Sequence, residues 1–497
     1  MRFFCYNVKD LRRWSQDAKV RRQRMNSKIS KFIRNFMYTL TSNLISLFIS
    51  TLVILIIPRI IGVQDYGYWQ LYLFYSSYVG FFHLGWNDGI YLRYGGKHYD
   101  ELDRPLFFSQ FHMMMIFQLL ITIILYGITY ILDVSPDEIF ILRMTVISLV
   151  TVNTRGLLLF ILQATNDIKN YAKITIADRI LYCLLIVLFI ITGFKDYKVM
   201  VLADLIGKVV SFFYAAYICR TIVFNKVSTF YLSFKEAIEN INVGIKLMFS
   251  NIASTLIIGV VRYGIQHTWD IETFGKVSLT LSVSNLIMVF INAVGIIMFP
   301  VLRRAEETNL PSIYITMRDF LMVVVFGLLI LFYPIRTALL AWLPEYADGL
   351  KYMALLFPMC IYEGKMSLLL NTYLKTMRKE RQMLKFNILT LGLALILTFV
   401  TTVILQNLNL AVLSIVVLVA FRTLLAEIYL SAVLEISVYK DILLESMMAI
   451  VFILSAWAGD SMANVMVYAF AYLIYLLFKK KDITDTIKNL KILIRKK

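Results

Sequence analysis

Long apolar runs, separated by short loops that are charged or contain proline or glycine, repeat along the chain after residue 35. There are fourteen of them, each close to the ~20 residues that a helix needs to cross a membrane. They lie at about 36–57, 68–92, 107–132, 139–163, 171–193, 199–219, 244–268, 277–302, 314–333, 350–374, 383–405, 409–432, 442–458 and 462–478. Such runs are too long for the ~10-residue strands of a membrane barrel, and their polarity does not alternate. The pattern predicts an all-α polytopic membrane protein with fourteen spans, numbered here 1 to 14 in chain order.

The composition agrees with this prediction. Hydrophobic residues make up 59% of the 497 residues, charged residues only 16%, and the mean hydropathy is +0.72. A soluble domain carries roughly 25% charged residues, so a soluble enzyme, a secreted disulfide scaffold and a disordered chain are excluded. The four cysteines and four histidines lack the spacing of a disulfide framework or a metal site.

The basic residues predict the orientation of the chain. If the N-terminus is cytoplasmic, 37 of the 50 lysines and arginines fall in the tails and inner loops, and 6 fall in outer loops. Cytoplasmic loops carry the excess of Lys and Arg, so both termini are expected to be cytoplasmic, and the net charge of +18 reflects topology rather than nucleic-acid binding. The basic segment 1–35 is either an interfacial helix on anionic lipid or a disordered topology signal.

Spans 1 and 7 resemble each other at a constant offset of 208 residues. Ser42-Asn43 aligns with Ser250-Asn251, and Tyr66-Gly67 aligns with Phe274-Gly275. Because six spans separate the copies, both have the same orientation, and parallel repeats of this kind build transporters with the substrate site between two lobes. The predicted organisation is a basic segment, an N-lobe (spans 1–6), a C-lobe (spans 7–12), spans 13–14 and a basic tail, at 1–35, 36–223, 224–435, 436–478 and 479–497.

Charged residues inside the predicted spans each cost about 2.5–3.5 kcal/mol at a helix centre, so each needs a partner or a wet cavity. Seven are basic and five acidic: Arg143, Arg155, Arg179, Lys208, Arg262, Lys365, Arg422, Asp88, Asp178, Asp204, Glu363 and Glu427. Asp204 and Lys208 stand four residues apart in the order that favours an ion pair. Arg155 and Asp178 are each about 11 Å deep in adjacent helices, so they too are expected to pair. For both pairs a structural and a functional role stay open.

Three arginines, Arg143, Arg262 and Arg422, have no acid nearby in the sequence. Arginine does not lose its proton in proteins, so these side chains are candidates for a wet cationic cavity. Arg143 and Arg262 lie near the outer ends of their spans, where snorkelling to the interface is the alternative. Several arginines in one cavity favour an anionic ligand, especially phosphate, which takes two hydrogen bonds from one guanidinium. The candidate substrate-binding residues are Arg155, Arg262, Arg143, Arg422 and Lys365.

Two pairs of motifs resemble a known family. In span 2 they are Asp65-Tyr66-Gly67-Tyr68-Trp69-Gln70 and His83-Leu84-Gly85-Trp86-Asn87-Asp88-Gly89-Ile90-Tyr91-Leu92-Arg93-Tyr94-Gly95-Gly96. In span 8 they are Phe274-Gly275-Lys276-Val277-Ser278-Leu279 and Phe299-Pro300-Val301-Leu302-Arg303-Arg304. These motifs resemble those of the Wzx-type polysaccharide or O-antigen flippases. These flippases belong to the multidrug/oligosaccharidyl-lipid/polysaccharide (MOP) exporter superfamily, and the resemblance covers spans 1–12.

The resemblance implies two six-helix lobes around a central cavity. It implies a flippase, not an enzyme, that moves undecaprenyl-pyrophosphate-linked oligosaccharides to the outer leaflet of the bacterial inner membrane by alternating access. It also implies that Arg155 and Arg262 line a cationic cavity and that Asp88 is an acidic residue of span 2 in that cavity. No cofactor is implied. The implied partners are the lipid-linked oligosaccharide, membrane lipid, a polysaccharide polymerase and other assembly proteins of surface polysaccharide and lipopolysaccharide biosynthesis, around a monomeric transporter unit.

Two alternatives stay open. A cation-coupled multidrug exporter of the same superfamily needs carboxylates for Na⁺ or H⁺, and the candidate coupling or gating residues are Asp88, Asp178, Asp204 and Glu363. A membrane glycosyltransferase or polysaccharide polymerase is less favoured, because the chain has no DxD metal-sugar motif and no large outer loop. Spans 13 and 14 are additional to the twelve of many relatives and are expected to form either a lipid-tail groove or a partner surface.

Overall fold

A computed structural model describes residues 37–38, 41, 43–45, 48–303, 307–459, 461–482 and 484. At 287, 289–303 and 307 it describes the backbone only. The basic segment 1–35 and most of the basic tail lie outside the described residues. Within them the chain is helical and contains no strand, which confirms the predicted fold class. Ten of the described helical stretches are long and apolar enough to cross a membrane.

The helices follow the predicted spans in order. In the first half they are Asn43–Ile61 (span 1), Val63–Ser76 with Trp86–Tyr94 (span 2), Arg104–Ile128 (span 3), Pro136–Ala164 (span 4), Ile168–Ile191 (span 5) and Tyr197–Ile218 (span 6). The next six spans are Phe234–Thr268 (span 7), Ile271–Arg303 (span 8), Leu310–Trp342 (span 9), Met353–Thr376 (span 10), Glu380–Ile404 (span 11) and Leu408–Leu434 (span 12). Tyr439–Trp457 and Met462–Phe478 form spans 13 and 14.

The loop residues explain where several helices begin. The Asp103 carboxylate accepts a hydrogen bond from the Leu106 N–H, and the Ser135 hydroxyl accepts one from the Glu138 N–H. In both cases proline occupies the first turn, where its missing N–H costs nothing. These caps satisfy backbone donors that an apolar helix cannot otherwise pair at its end.

Span 2 differs from its prediction. The hydropathy of residues 68–92 predicted one continuous helix, but the structure has two helices joined by a short 3-10 helix, Val79–His83. Leu84 and Gly85 between them have φ angles of 54° and 84°, in the left-handed region that ends an α-helix. The continuous-helix prediction was wrong because hydropathy reports burial and not the local backbone. Broken spans in transporters mark places where backbone lines a cavity.

Span 2 contacts the second half of the chain at both of its ends. At one end, an ideal Cβ on Gly275 of span 8 would lie 2.8 Å from the Cα of Gly67, so the two backbones touch. At the other end, predicted to face the cytoplasm, Arg93 binds Glu236 at 2.6 Å and Glu239 at 2.8 Å, both on span 7. The two halves are therefore in contact at both faces of the bundle.

Further contacts join the two halves of the chain near the Gly67 end of span 2. The indole N–H of Trp342, at the end of span 9, donates to the Leu55 carbonyl of span 1 at 2.8 Å. The Arg59 guanidinium lies 3.9 Å from the centre of the Trp342 ring, a cation–π contact. The Tyr346 hydroxyl donates to the Pro58 carbonyl at 3.2 Å.

Buried ion pairs tie spans 13 and 14 to span 9. Arg318 contacts Asp319 at 3.0 Å and Asp441 of span 13 at 2.6 Å. Lys479, just after span 14, contacts the same two carboxylates at 3.0 and 2.5 Å. The two last spans are thus held by charge as well as by apolar packing. Their predicted part as a lipid-tail groove or a partner surface stays a prediction.

Candidate functional site

Arg262 lies where spans 2, 7 and 8 meet. Its guanidinium carbon is 4.9 Å from the ring centre of Phe74 (span 2) and 5.3 Å from that of Phe274 (span 8). One terminal nitrogen donates to the Ser278 hydroxyl at 3.0 Å, while its buried Nε has no hydrogen-bond partner. Among the described residues no carboxylate pairs with it. A permanent positive charge therefore sits between the two halves of the chain, held by aromatic rings and one hydroxyl.

A pocket of about 160 Å³ lies mainly in the first half of the chain, and Arg262 is not among its lining residues. Its wall comes from spans 1, 2, 5 and 6 and one residue of span 8: Ile49, Ser50, Val53, Ile54, Tyr66, Trp69, Gln70, Leu73, Arg179, Tyr182, Asp204 and Ser282. Ser282 stands one helical turn from Ser278, the partner of Arg262. Arg262, on span 7, and the pocket are therefore connected through span 8, and together they are the candidate site.

Arg179 also lines this pocket. The sequence places it among the charged residues of the predicted spans, but it is not one of the predicted substrate-binding residues. Its side chain is exposed, and it has no ion-pair or hydrogen-bond partner within the described part of the chain. The aromatic rings of Tyr66, Trp69 and Tyr182 form the apolar wall opposite these polar groups. Arg179 directly follows Asp178 in the sequence, and neighbouring helical residues point in different directions. This adjacency is the available signal that Arg179 does not point the same way as Asp178.

Asp204 also lines the pocket, but its charge is neutralised. Its carboxylate contacts the ammonium of Lys208 at 2.6 Å and accepts a hydrogen bond from the Tyr72 hydroxyl at 2.7 Å. The ion pair expected from the four-residue spacing is therefore present. With Asp204 paired to Lys208, the pocket keeps the positive charge of Arg179 in excess.

Arg155 and Asp178 form the second ion pair that the sequence predicted. Arg155 Nη1 lies 2.9 Å from Asp178 Oδ2 and donates to the Ser211 hydroxyl at 2.8 Å. This contact joins spans 4, 5 and 6. The buried Nε of Arg155 has no partner, so one donor of this guanidinium is unused.

Arg422 does have an acidic partner, contrary to the expectation from its neighbours in the sequence. Its Nη2 lies 2.5 Å from the Glu363 carboxylate of span 10, and its Nη1 donates to the Ser254 hydroxyl of span 7 at 2.7 Å. Lys365, two residues beyond Glu363, points elsewhere and contacts Glu427 and Glu445. These three predicted site residues are therefore engaged in ion pairs of the second half, and the structure does not bring them to the pocket wall.

Arg143 and Asp88 lie apart from the pocket as well. Arg143 donates to the Thr129 hydroxyl at 3.1 Å, and its guanidinium carbon lies 4.5 Å from the centre of the Tyr130 ring. Asp88 is buried in the first turn of the second half of span 2, where the helix dipole favours a negative charge. The His83 Nε2 is 3.6 Å from its carboxylate, too far for a hydrogen bond.

Comparisons with solved structures identify the fold of the chain. The lipid II flippase MurJ in its inward closed conformation superposes with a TM-score of 0.64 at 14% identity, covering 90% of this chain and 99% of that structure. An inward-facing multidrug resistance MATE family transporter of the MOP superfamily superposes with a TM-score of 0.58 at 13% identity, covering 82% of this chain and 98% of that structure. An outward-facing MATE transporter gives 0.51 at 15% identity over 81% and 95% of the two chains. No protein-family model matches the sequence, and no curated protein sequence matches it significantly.

The comparisons define the class of fold. The chain is a multi-pass membrane protein with the fold of flippases and transporters of the MOP superfamily. Within that class the fold is shared by proteins that carry different substrates, so the substrate has to be argued from the site.

Proposed function

We propose that the protein is a flippase that moves an anionic lipid-linked oligosaccharide, of the undecaprenyl-pyrophosphate type, from the inner to the outer leaflet of a bacterial cell membrane. The observation that carries this proposal is Arg262. It is a cation between the two halves of the chain without an acidic partner in the described residues, and one buried N–H is left unused. A buried, unsatisfied guanidinium donor has a large stabilisation to gain from a phosphate oxygen.

The chemistry of the site fits the two parts of such a substrate. Arg262 presents a planar guanidinium that can bind a phosphate group through two hydrogen bonds. Arg179 supplies a second positive charge on the neighbouring pocket wall. The aromatic and hydroxyl groups of that wall suit the first sugar, while the lipid tail stays in the bilayer. Recruiting the predicted ligand Arg155 as well would require it to leave Asp178 or to use its free Nε.

Alternating access requires the contacts at the two ends of span 2 to open in turn. Entry from the inner leaflet breaks the ion pairs of Arg93 with Glu236 and Glu239. Release on the other side separates Gly67 from Gly275 and frees Trp342 from span 1. Outward transfer of a net anion is downhill in an inside-negative cell by about 2.3 kcal/mol per charge per 100 mV.

A cation-coupled multidrug exporter is the second candidate, favoured by the MATE neighbours and by the carboxylate of Asp204 in the pocket. In this alternative Asp204 exchanges its Lys208 partner for a proton, a sodium ion or a cationic drug. The excess positive charge at Arg179 and Arg262 repels an organic cation, so the anionic substrate is favoured.

Reconstitution distinguishes the two candidates. The purified protein in proteoliposomes is given a defined undecaprenyl-pyrophosphate-linked oligosaccharide or, in parallel, a fluorescent organic cation. The proposal expects flipping of the lipid-linked sugar that accelerates with a potential of the physiological sign, and no transport of the cation. Arg262→Gln abolishes flipping, whereas the control Arg220→Gln, in the exposed one-turn helix Arg220–Val223 after span 6, does not. Drug transport that persists in Arg262→Gln, without flipping by the wild type, contradicts the proposal.

A further inference from the structure

Two glutamates share one lysine where spans 10, 12 and 13 meet. The Lys365 ammonium donates to Glu427 Oε2 at 2.8 Å and also to the carboxylate of Glu445. The other oxygen of Glu427 accepts a hydrogen bond from the Tyr314 hydroxyl at 3.1 Å. The three charged side chains are buried, with exposed fractions of 2%, 0% and 6%. We call Lys365, Glu427 and Glu445 the buried triad.

With both glutamates ionised, the buried triad carries a net charge of −1. The neighbouring ion-pair cluster cannot supply the missing positive charge. Arg318 and Lys479 there are balanced by Asp319 and Asp441, and the further contact of Lys479, with Asp482, is to a carboxylate that is 46% exposed. The arginine of span 12 beside the triad is likewise balanced, because Arg422 is paired with Glu363.

The other polar groups around the triad are either neutral hydroxyls or charged groups that already have a partner. The titratable and charged groups that face it from the packed spans are Tyr314, Arg318 and Asp319 (span 9), Tyr362 and Glu363 (span 10), Arg422 (span 12), Asp441 (span 13), and Tyr475 and Lys479 (span 14 and its end). The charged members of this set form the neutral combinations already described. Among the described residues, one negative charge would therefore remain uncompensated in the membrane interior, where an unpaired ion is strongly destabilising.

We propose that the buried triad is a proton-binding site, in which one of the two carboxylates carries a proton at neutral pH. The proton comes from a hydronium ion of the solvent, whose O–H bond breaks to leave water. The new O–H bond on one carboxyl leaves the other carboxylate to balance the single ammonium of Lys365. A metal cation is disfavoured, because the lysine ammonium already occupies the position between the two carboxylates. None of the candidate coupling residues belongs to this site, and the site does not depend on what the protein transports; these residues are Asp88, Asp178, Asp204 and Glu363.

Infrared spectroscopy of the purified full-length protein tests the assignment, because a protonated carboxyl has a C=O band separate from that of a carboxylate. At neutral pH the wild type is expected to show the band of a protonated carboxyl that exchanges slowly with deuterated water. The band should decrease by one carboxyl in both Glu445→Gln and Glu427→Gln, since either change leaves one carboxylate paired with Lys365. The control Glu345→Gln, in an exposed turn, should leave it unchanged.

A second variant keeps the test sharp if a glutamine variant does not fold. Lys365→Met removes the ammonium, so both glutamates should become protonated and the band should gain one carboxyl. Exchange of sodium for potassium in the buffer should not alter the wild-type band. The proposal is overturned by a wild-type spectrum without a protonated carboxyl at neutral pH, by a band that neither glutamine variant reduces, or by a band that appears only when sodium is removed.

Discussion

Gly67 and Gly275, which the 208-residue offset pairs in the sequence, lie against each other in the structure. An ideal Cβ on Gly275 would come within 2.8 Å of the Cα of Gly67. In the parallel repeat that the sequence predicts, equivalent residues meet only near the axis that relates the two copies. The contact is therefore consistent with an axis at the start of spans 2 and 8, and it is one of the two closures that the proposed alternating access requires.

Enlarging Gly275 should keep this closure from forming. In Gly275→Leu the new side chain meets the backbone of Gly67, which cannot move aside as a flexible side chain would. We expect transport to fall at least about tenfold, a change of ~1.4 kcal/mol or more, with normal protein level in the membrane. Gly392→Leu is the matched control, because a Cβ at this helical glycine meets no atom within 4 Å. Equal transport by the two variants would show that the glycine contact is not needed.

The other closure depends on charge and can be tested by exchanging the charges. Arg93→Glu places a like charge opposite Glu236 and Glu239, so we expect a several-fold loss of transport. The double variant Arg93→Glu with Glu239→Arg should recover a substantial part of it, because one ion pair is restored in the opposite sense. Arg104→Glu, at the exposed first residue of span 3, controls for the change in charge. A double variant no better than the single one would contradict a function for these ion pairs in closure.

Partner assignment from the sequence succeeded only where geometry is local. The i,i+4 pair Asp204 and Lys208 follows from one helix, and Arg155 with Asp178 follows from equal depth on adjacent helices. Arg422 and Glu363, by contrast, are 59 residues apart on spans that are not consecutive. Their pairing depends on how each helix is rotated and which helices are neighbours, and hydropathy carries neither quantity.

The order and approximate bounds of the helices could be predicted because each membrane helix needs its own apolar length. The break in span 2 could not, because residues 79–85 are apolar enough to continue a helix. The available signal was the pair of glycines Gly85 and Gly89 around Trp86. The lobe boundaries and the orientation of the termini stay predictions, since they rest on the repeat and on the distribution of basic residues.

The ion pair of Arg422 predicts a large stability effect. Glu363→Gln leaves a guanidinium with 4% exposure without its counter-charge. Removing one partner of a buried pair costs about 3–5 kcal/mol, and we expect the lower end because 22% of the Glu363 side chain is exposed. Thermal unfolding in detergent should show a clearly lower midpoint for Glu363→Gln than for the wild type. Glu445→Gln should lower it less, since the remaining triad pair stays neutral.

A control variant makes the stability prediction for Glu363 testable. Glu272→Gln, on the exposed first turn of span 8, controls for the substitution itself and should unfold like the wild type. If Glu363→Gln unfolds at the same midpoint as Glu272→Gln, Arg422 has another counter-charge or is not buried in the protein.

The central claim, that Arg262 binds a phosphate group of the substrate, is tested most directly by flipping rates of Arg262→Lys and Arg262→Gln in the same proteoliposomes. A point charge lacks the two-point geometry of a guanidinium, so the lysine variant should retain a minor part of the rate. The glutamine variant should lose about 2–5 kcal/mol of stabilisation, which abolishes measurable flipping. Both variants should insert and unfold normally. Flipping by Arg262→Gln at the wild-type rate would contradict the account and leave Arg179 and Arg155 as the remaining cations for the substrate.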